Sequence, residues 1–362
     1  MVTGYEEIAS VIRDPGAYSS GLGYAALSAG RMNPDRSDAS GTGYWSAAAG
    51  TYRPDLLRRA CGSEPAVPRV LGPAEPAGEA SAGMPLSGAA APRLGAGAGD
   101  NASAALGLGA GVGDVVVSIG TSGTVFAVSG TPTADATGII AGFADATGRF
   151  LPLVCTVNAG LVLSATASLL GTDLDGLSAL ALAAEPGAGG ITLLPYLDGE
   201  RTPDRPGATG VLRGLTTRNA TRENLARAAV EAVLASMADA ADLLTGQGAG
   251  GQAAAAPEVA TGDPPPRRPR RVLLIGGGAR SAAVCALAPG LFFSPVLVPE
   301  PEEYVAVGAA RQAAWALTRT PEPPAWPPRQ AATYTGAAQP EIRERHAALR
   351  NDTATWKEAA GP

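Results

Sequence analysis

The sequence predicts an α/β fold, and three observations support that prediction. Strand-like and helix-like segments alternate from Asp114 onward, glycine-rich turns stand at the ends of strands, and 46% of the residues are apolar, which is enough to fill sizeable cores. The predicted strands lie near residues 115–119, 124–128, 150–157, 191–197, 271–275 and 295–299. The predicted helices lie at 159–170, 174–185, 221–245, 281–288 and 303–317.

The first two predicted strands enclose a turn with two glycines and two hydroxyls. A β-branched run at 115–119 leads into Gly-Thr-Ser-Gly at 120–123, and a second apolar run follows at 125–128. Such a turn brings successive backbone N–H groups and hydroxyls to one point, which suits a phosphate. We expect its glycines to supply unusual dihedrals and to let a ligand approach the backbone. An ordinary hairpin turn has the same sequence, so the turn alone leaves both interpretations open.

Residues 271–281 form a second candidate ligand segment. They read Arg-Val-Leu-Leu-Ile-Gly-Gly-Gly-Ala-Arg-Ser, a buried type of strand that runs into three glycines and then into a helix predicted from Ser281. Glycines at such a junction let a flat ligand lie against the main chain, and ligands collect at the carboxyl ends of strands in open α/β sheets.

A third segment, Gly-Ala-Gly-Asp-Asn at 97–101, precedes an alanine-rich helix. Asp100 or Asn101 can cap that helix. Alternatively, the Asp100 carboxylate lies near a phosphate-bound magnesium ion. The local sequence leaves both alternatives open.

The other predicted elements have structural roles. Thr221 can cap the helix at 221–245, whose apolar stripe indicates core packing. A short helix is predicted at 55–60 and a charged one at about 340–350. Residues 246–270, rich in glycine, proline and arginine, are predicted to be a flexible insertion with solvated arginines.

Several residue types are absent or rare, and this narrows the chemistry. The chain has no Gly-x-x-x-x-Gly-Lys-Ser/Thr segment, and its one lysine, Lys357, excludes a mechanism with a strand lysine on the phosphates. The single histidine, His346 near the C-terminus, excludes histidine triads and histidine metal sites. Cys61, Cys155 and Cys285 lack pairing or metal spacing and are interpreted as reduced core thiols of a cytosolic protein.

The charge and hydropathy of the chain exclude two classes of partner. The net charge of −6 and the pI of about 5.0 argue against binding to nucleic acid or to a membrane surface. No run of about 18 apolar residues occurs, and the N-terminus lacks the form of a signal peptide. We therefore expect a cytoplasmic protein that acts on a small molecule.

Several motifs in this chain resemble those of the FGGY carbohydrate kinases, most closely the xylulokinase branch. The motifs occur in the family's order over roughly residues 31–317, and residues 210–231 are similar to the family's second signature. They are Gly-Ala-Gly-Asp-Asn, Ser-Ile-Gly-Thr-Ser-Gly, Leu-Pro-Tyr-Leu-Asp-Gly-Glu-Arg-Thr-Pro and Ile-Gly-Gly-Gly-Ala-Arg-Ser. The resemblance implies an actin-like ATPase (ribonuclease H-like) fold and phosphorylation of a ketopentose, D-xylulose first among the candidates, by ATP with Mg²⁺.

The resemblance also implies roles for particular residues. The segment 36–45 resembles the one that carries the family's catalytic aspartate, so Asp38 becomes the candidate general base, with Asp35 as a nearby rival. The local alternative is that Asp38 caps a turn before Gly41. Asp100 would lie near the metal and phosphates. The terminal phosphates would contact Gly120, Thr121, Ser122, Gly123 and Thr124, and the adenosine would contact Gly276, Gly277, Gly278 and Ala279.

The match departs from the family pattern at the N-terminus. Family members open with an Asp-x-Gly-Thr phosphate hairpin, which we expect to be absent here, so the predicted domains are a remnant sugar domain (1–110), an ATP-binding domain (111–317) and a proline-rich linker with a tail helix (318–362). Two hypotheses remain open. The chain is an active kinase for this sugar or another polyol, or it is a truncated nucleotide-binding relative with little activity, which a gene-start error would also produce. A homodimer is also left open.

Overall fold

The structure is a computed structural model that describes residues 33–79, 93–246, 269–326 and 330–356. Most of the predicted insertion at 246–270 lies outside the described residues, as do residues 1–32.

The described residues form nine α-helices and thirteen strands. The helices are α1 (Arg36–Gly41), α2 (Pro54–Cys61), α3 (Asp100–Gly107), α4 (Gly160–Leu169), α5 (Leu174–Ala183), α6 (Arg222–Leu244), α7 (Ala282–Phe292), α8 (Tyr304–Thr318) and α9 (Pro340–Asp352). The strands are β1 (Trp45–Ser46), β2 (Thr51–Tyr52), β3 (Gly78–Glu79), β4 (Arg93–Leu94), β5 (Asp114–Ile119), β6 (Gly123–Ala127), β7 (Ala141–Ala144), β8 (Phe150–Thr156), β9 (Thr192–Leu194), β10 (Val211–Arg213), β11 (Arg271–Ile275), β12 (Val296–Pro299) and β13 (Ala331–Tyr334).

These elements confirm the predicted α/β alternation, with two differences in length. Strand β9 has three residues, because Pro195 has no N–H to donate to a ladder and the chain turns at Gly199, which has φ +72°. Helix α7 starts after its cap at Ser281, as predicted, but continues through Pro289 to Phe292.

The chain divides into two compact units that interleave in sequence. The first comprises the described parts of Met1–Gly111, Gly142–Leu151 and Glu302–Pro328. The second comprises those of Val112–Ala141, Pro152–Pro301 and Arg329–Pro362. The domain boundaries expected at residues 110 and 317 stay a prediction.

The first unit contains a close helix pair, α3 and α8. A Cβ atom on Gly308 would lie 1.8 Å from the Ser103 carbonyl oxygen, and one on Gly107 would lie 2.2 Å from that of Tyr304. Because glycines stand at both points, the two backbones can pack in direct contact. Helix α3 begins inside the Gly-Ala-Gly-Asp-Asn motif, at Asp100, so this packing fixes where that motif lies within the unit.

The second unit contains six strands of a mixed sheet, in the order β13-β12-β11-β5-β6-β8. Strands β12, β11 and β5 are parallel, whereas β6 is antiparallel to β5 and β8 is antiparallel to β6. The core packs Val115, Val117 and Ile119 of β5 with helix residues such as Val233 and Leu234. Because β5 and β11 are adjacent and parallel, their carboxyl ends meet at one edge of the sheet.

Helix α6 is the central helix of the second unit. The Thr221 hydroxyl accepts the N–H of Asn224 at 3.2 Å, which confirms the predicted cap. The predicted core packing of this helix is confirmed, but burial is not limited to one stripe, because every residue from Ala226 to Ala238 is buried. Helices α4, α5, α7 and α9 all pack on α6. A helix so surrounded is buried on all sides.

Helix α9 confirms the predicted charged helix and packs on α6 through ion pairs. Asp239 on α6 pairs with Arg343 at 2.6 Å and with Arg350, and His346 Nδ1 lies 3.5 Å from an Asp239 carboxylate oxygen. His346 is buried, with its Nε2 atom 3.4 Å from the Ser236 hydroxyl. The sequence gave no sign that this histidine would be part of the core.

The cysteine interpretation is correct for one residue of the three. All three cysteines are free thiols, but only Cys285 is buried, while Cys155 is partly buried and Cys61 is exposed. Cys61 ends the short surface helix α2, which buries only Leu57. A helix with so little buried surface leaves its last residue in solvent.

Candidate functional site

Residues 120–124, the hydroxyl turn, connect β5 to β6. Ile119 pairs with Gly123 across the hairpin, and the Gly120 N–H donates to the Ser122 carbonyl oxygen at 3.0 Å. Gly120, Thr121 and Ser122 are exposed, while Gly123 is buried. The tip of the hydroxyl turn thus presents backbone groups and two hydroxyls to solvent.

The turn glycines serve a different purpose from the one expected. Neither Gly120 nor Gly123 has a left-handed φ, so the expectation of unusual dihedrals is wrong. Instead, a Cβ atom on Gly123 would lie 2.5 Å from Thr156 Oγ1 and 2.6 Å from Met237 Cε. Glycine is required at 123 because neighbouring side chains approach the turn from inside the protein.

The glycine loop, residues 276–279, follows β11. Ile275 pairs with Ser118 of β5, so this loop begins beside the hydroxyl turn. Gly276 has φ +86°, and a Cβ atom on it would lie 2.7 Å from the Ile119 carbonyl oxygen. A Cβ atom on Gly277 would meet only that oxygen, at 4.0 Å, and Gly277 is exposed.

The glycine loop ends where α7 begins. Residues 277–280 form a 3-10 turn, and the Ser281 hydroxyl accepts the N–H of Val284 at 3.3 Å to cap α7. The two candidate segments therefore lie side by side at the carboxyl ends of adjacent parallel strands. This is where ligands bind in open α/β sheets.

The first residues of helix α4 are hydrogen-bonded to the hydroxyl turn. The Gly160 N–H donates to the Gly120 carbonyl oxygen at 2.8 Å, and the Leu161 N–H donates to that of Thr121 at 3.1 Å. A Cβ atom on Gly160 would lie 2.4 Å from the Gly120 oxygen. This contact could not be predicted from the sequence, because the two segments are about forty residues apart and Gly160 belongs to no recognised motif.

In the first unit, helix α1 carries the candidate base. Asp35 is its N-cap: its carboxylate accepts the N–H groups of Ser37 at 2.7 Å and of Asp38 at 3.2 Å. Asp38 lies in the first helical turn and is exposed. The local alternative, in which Asp38 caps a turn before Gly41, is therefore wrong, because Asp35 performs the capping.

The Gly-Ala-Gly-Asp-Asn motif packs against α1. The Gly99 N–H donates to the Ser37 hydroxyl at 2.8 Å, and a Cβ atom on Gly99 would lie 2.9 Å from Asp38 Oδ1. Gly99 is also the N-cap position of α3. The Asp100 carboxylate accepts the N–H of its neighbour Asn101 at 2.7 Å. Capping by Asp100 or Asn101 is therefore wrong, because both residues already lie inside the helix.

Desolvation and then the neighbouring carboxylates raise the proton affinity of Asp38. Loss of hydration, followed by the charge of Asp35, a hydrogen bond to its side chain and the charge of Asp100, raises the pKa of Asp38 from 3.8 to about 6. A base with this pKa is ionised at neutral pH and holds a proton more readily than an ordinary aspartate.

Asp100 has the chemistry of a magnesium ligand. Its carboxylate is exposed, and its charge acts unfavourably on that of Asp38, a situation that a divalent cation relieves. Within the described residues, no group of three or more His, Cys, Asp or Glu side chains could hold a metal ion by itself. A magnesium ion at Asp100 would therefore need further oxygen ligands, from water or from a bound phosphate.

Comparisons with known proteins point to one family. Residues 115–317 match the FGGY family of carbohydrate kinases, C-terminal domain. A xylulose kinase of Streptomyces coelicolor is 41% identical over 331 residues, which are 91% of this chain and 63% of that protein. A xylulose kinase of Streptomyces rubiginosus is 40% identical over 80% of this chain and 55% of that protein. The chain thus spans about three fifths of the length of these relatives.

Solved structures show the same similarity. The crystal structure of xylulose kinase from Bifidobacterium adolescentis superposes with a TM-score of 0.75 at 46% identity, covering 88% of this chain and 62% of that one. In the part of the chain that the structure describes, no helix is both long and apolar enough to cross a membrane.

Proposed function

This chain belongs to the FGGY family of carbohydrate kinases, and we propose on that basis that it transfers the terminal phosphoryl group of ATP to a ketopentose. D-Xylulose, giving D-xylulose 5-phosphate, is the proposed substrate, because relatives 40–46% identical to most of this chain are xylulose kinases. The observation that carries the proposal is the environment of Asp38, an exposed carboxylate with a pKa of about 6. We place the reaction in the cytoplasm.

The proposed nucleotide site combines the hydroxyl turn and the glycine loop. The exposed tip of the turn, with Gly123 and Thr124 behind it, would hold the terminal phosphates through N–H groups and hydroxyls. Residues 276–279 would face adenine and ribose, where Gly277 leaves room against the main chain. Asp100 would hold Mg²⁺ together with the phosphates. When bound, ATP and the metal ion supply the phosphoryl group and neutralise its charge.

The chain's own contribution to the chemistry is to take up a proton. The attacking sugar hydroxyl must lose its proton, and the Asp38 carboxylate accepts it. Asp35 fixes the start of α1 through its capping hydrogen bonds, and the Ser37 hydroxyl holds Gly99 at 2.8 Å. These contacts keep the base in one place, since positioning provides much of the catalysis in phosphoryl transfer.

The proposal is tested by ADP release from the purified chain with and without D-xylulose. We expect turnover that depends on D-xylulose. The same assay with glycerol, ribulose and gluconate shows whether a different substrate is preferred. Asp38→Asn should lower kcat by about 10²–10⁴-fold, the usual contribution of a general base, and leave ADP affinity unchanged. Asp55→Asn, at an exposed aspartate of α2, is the matched control and should behave as wild type.

Two results would count against the proposal. Equal turnover by Asp38→Asn and wild type would remove Asp38 from the mechanism. ADP binding without turnover of any of the four sugars or polyols would favour the alternative, a nucleotide-binding relative with little kinase activity.

A further inference from the structure

We propose that Glu200 is a positioning residue that sets the place of the hydroxyl turn and thereby the affinity for nucleotide phosphates. It acts through residues 157–161, which lie between Glu200 and the turn. The inference rests on the proposed function, because it takes the turn to be the phosphate site. Glu200 belongs to the segment Leu-Pro-Tyr-Leu-Asp-Gly-Glu-Arg-Thr-Pro, to which the sequence analysis assigned no role.

The Glu200 carboxylate is buried and holds five N–H groups. Only 2% of the residue is exposed. The carboxylate accepts the backbone N–H groups of Val157 at 2.7 Å, Asn158 at 3.4 Å, Arg201 at 2.8 Å and Thr202 at 3.4 Å, and the Asn158 side-chain amide at 3.0 Å. A buried charge that satisfies this many donors fixes their positions strongly.

Asn158 adds a second connection between the same two segments. Its side chain is fully buried, its Nδ2 donates to the Gly199 carbonyl oxygen at 2.5 Å, and its Oδ1 accepts the Leu197 N–H at 2.9 Å. The Thr202 hydroxyl also donates to the Cys155 carbonyl oxygen at 2.8 Å. Several hydrogen bonds therefore hold the segment just before α4 against the loop that contains Glu200.

The next residues along the chain contact the hydroxyl turn directly. Ala159 is fully buried, and the N–H groups of Gly160 and Leu161 donate to the carbonyl oxygens of Gly120 and Thr121. The space between Gly160 and Gly120 is closed, since even a methyl group would come within 2.4 Å of the oxygen. A displacement at 157–158 is therefore transmitted to the turn, because close-packed contacts pass strain on.

Replacing Glu200 by glutamine removes the negative charge of the side chain but keeps its size. Glutamine presents an NH₂ group where one carboxylate oxygen accepts N–H donors. The Val157 N–H contacts one carboxylate oxygen and the two Asn158 donors contact the other. The new NH₂ group therefore faces donors on one side, and either Val157 or Asn158 must move away or lose its partner. The turn should shift while the glycine loop, on another strand, stays in place.

The experiment compares two ligands by calorimetry, ADP and adenosine, on wild type, Glu200→Gln and Asp198→Asn. We expect Glu200→Gln to raise the Kd for ADP about 10-fold, as when about one hydrogen bond to the phosphates is lost, and to leave the Kd for adenosine unchanged. If the substitution only destabilised the fold, the affinities for ADP and adenosine would fall alike. Asp198, an exposed carboxylate in the same loop, is the matched control and should bind both ligands as wild type does.

The outcomes separate this inference from the proposed function. Failure of wild type to bind ADP would overturn the proposed function and this inference with it. Binding of ADP by wild type with unchanged affinity in Glu200→Gln would overturn this inference alone. If Glu200→Gln does not fold, Gly160→Ala tests the same connection at its last contact: selective loss of ADP affinity supports the inference, and unchanged ADP affinity overturns it.

Discussion

Replacing Asp35 by asparagine should move the acid limb of the sugar phosphorylation profile to lower pH. Asp35 accepts N–H groups as the N-cap of α1, and asparagine caps helices about as well as aspartate, so the helix should be retained. Asparagine carries no charge. The variant therefore removes one of the causes that raise the pKa of Asp38, while the Asp38 side chain itself is unchanged.

The size of the shift is bounded by the structure. In wild type the acid limb should lie near the Asp38 pKa of about 6. Desolvation, the largest cause, remains in the variant, so the limb should stop above the ordinary value of 3.8. A base with a pKa of about 6 is roughly one-tenth ionised at about pH 5, and one with a pKa of about 5 is half ionised. Activity at about pH 5, relative to the plateau near pH 8, should therefore rise several-fold.

The assay is kcat/KM for the sugar from about pH 4.5 to 8.5, together with a carbon-13 carboxyl titration of Asp38 that needs no turnover. Asp55→Asn, which removes an exposed charge elsewhere in the first unit, should leave the limb where wild type has it. An unchanged acid limb in Asp35→Asn, or a wild-type limb near pH 4, would refute the proposed effect of Asp35 on Asp38.

Two further predictions concern the second unit. Gly277→Val should change the free energy of unfolding by no more than about 0.5 kcal/mol, because a Cβ atom at this position has space. The same variant should raise the Kd for ADP, measured by calorimetry, at least about 30-fold. Unchanged ADP affinity would contradict the placement of the nucleotide. For Asp239, burial would raise the pKa, but His346, Arg343 and Arg350 hold it at about 2. The stabilisation from this shift is fully present above about pH 3.8 and is lost toward pH 2. Asp239→Asn should therefore lower the free energy of urea unfolding by about 2 kcal/mol at pH 7 and by roughly half as much at about pH 3. Equal costs at both pH values would contradict this prediction.

The order of strands and helices in the second unit could be predicted from the sequence because it depends on short-range patterns. Apolar runs at 115–119 and 271–275 have the length and β-branching of buried strands, and Thr221 and Ser281 are caps that act within three residues. The hydroxyl turn and the glycine loop were likewise visible as glycines at strand ends, although their position side by side was not.

Choices between similar residues required the tertiary structure. Asp35 and Asp38 are three positions apart, and only the direction of α1 shows that the first is the cap and the second is exposed. Capping by Asp100 was a reasonable local interpretation that failed because α3 begins one residue earlier than that role needs, with Gly99 against Ser37.

The sequence by itself determined the fold class, the longer strands and helices of the second unit, and the family, since these follow from periodicity, turn chemistry and motifs along the chain. The tertiary structure decided why position 123 is glycine, that His346 is buried, and that Glu200 holds the segment beneath the hydroxyl turn. Each of these depends on atoms from segments at least 30 residues away in sequence. A contact of that kind leaves no periodic pattern in the chain, because it is set by how the helices and strands pack together.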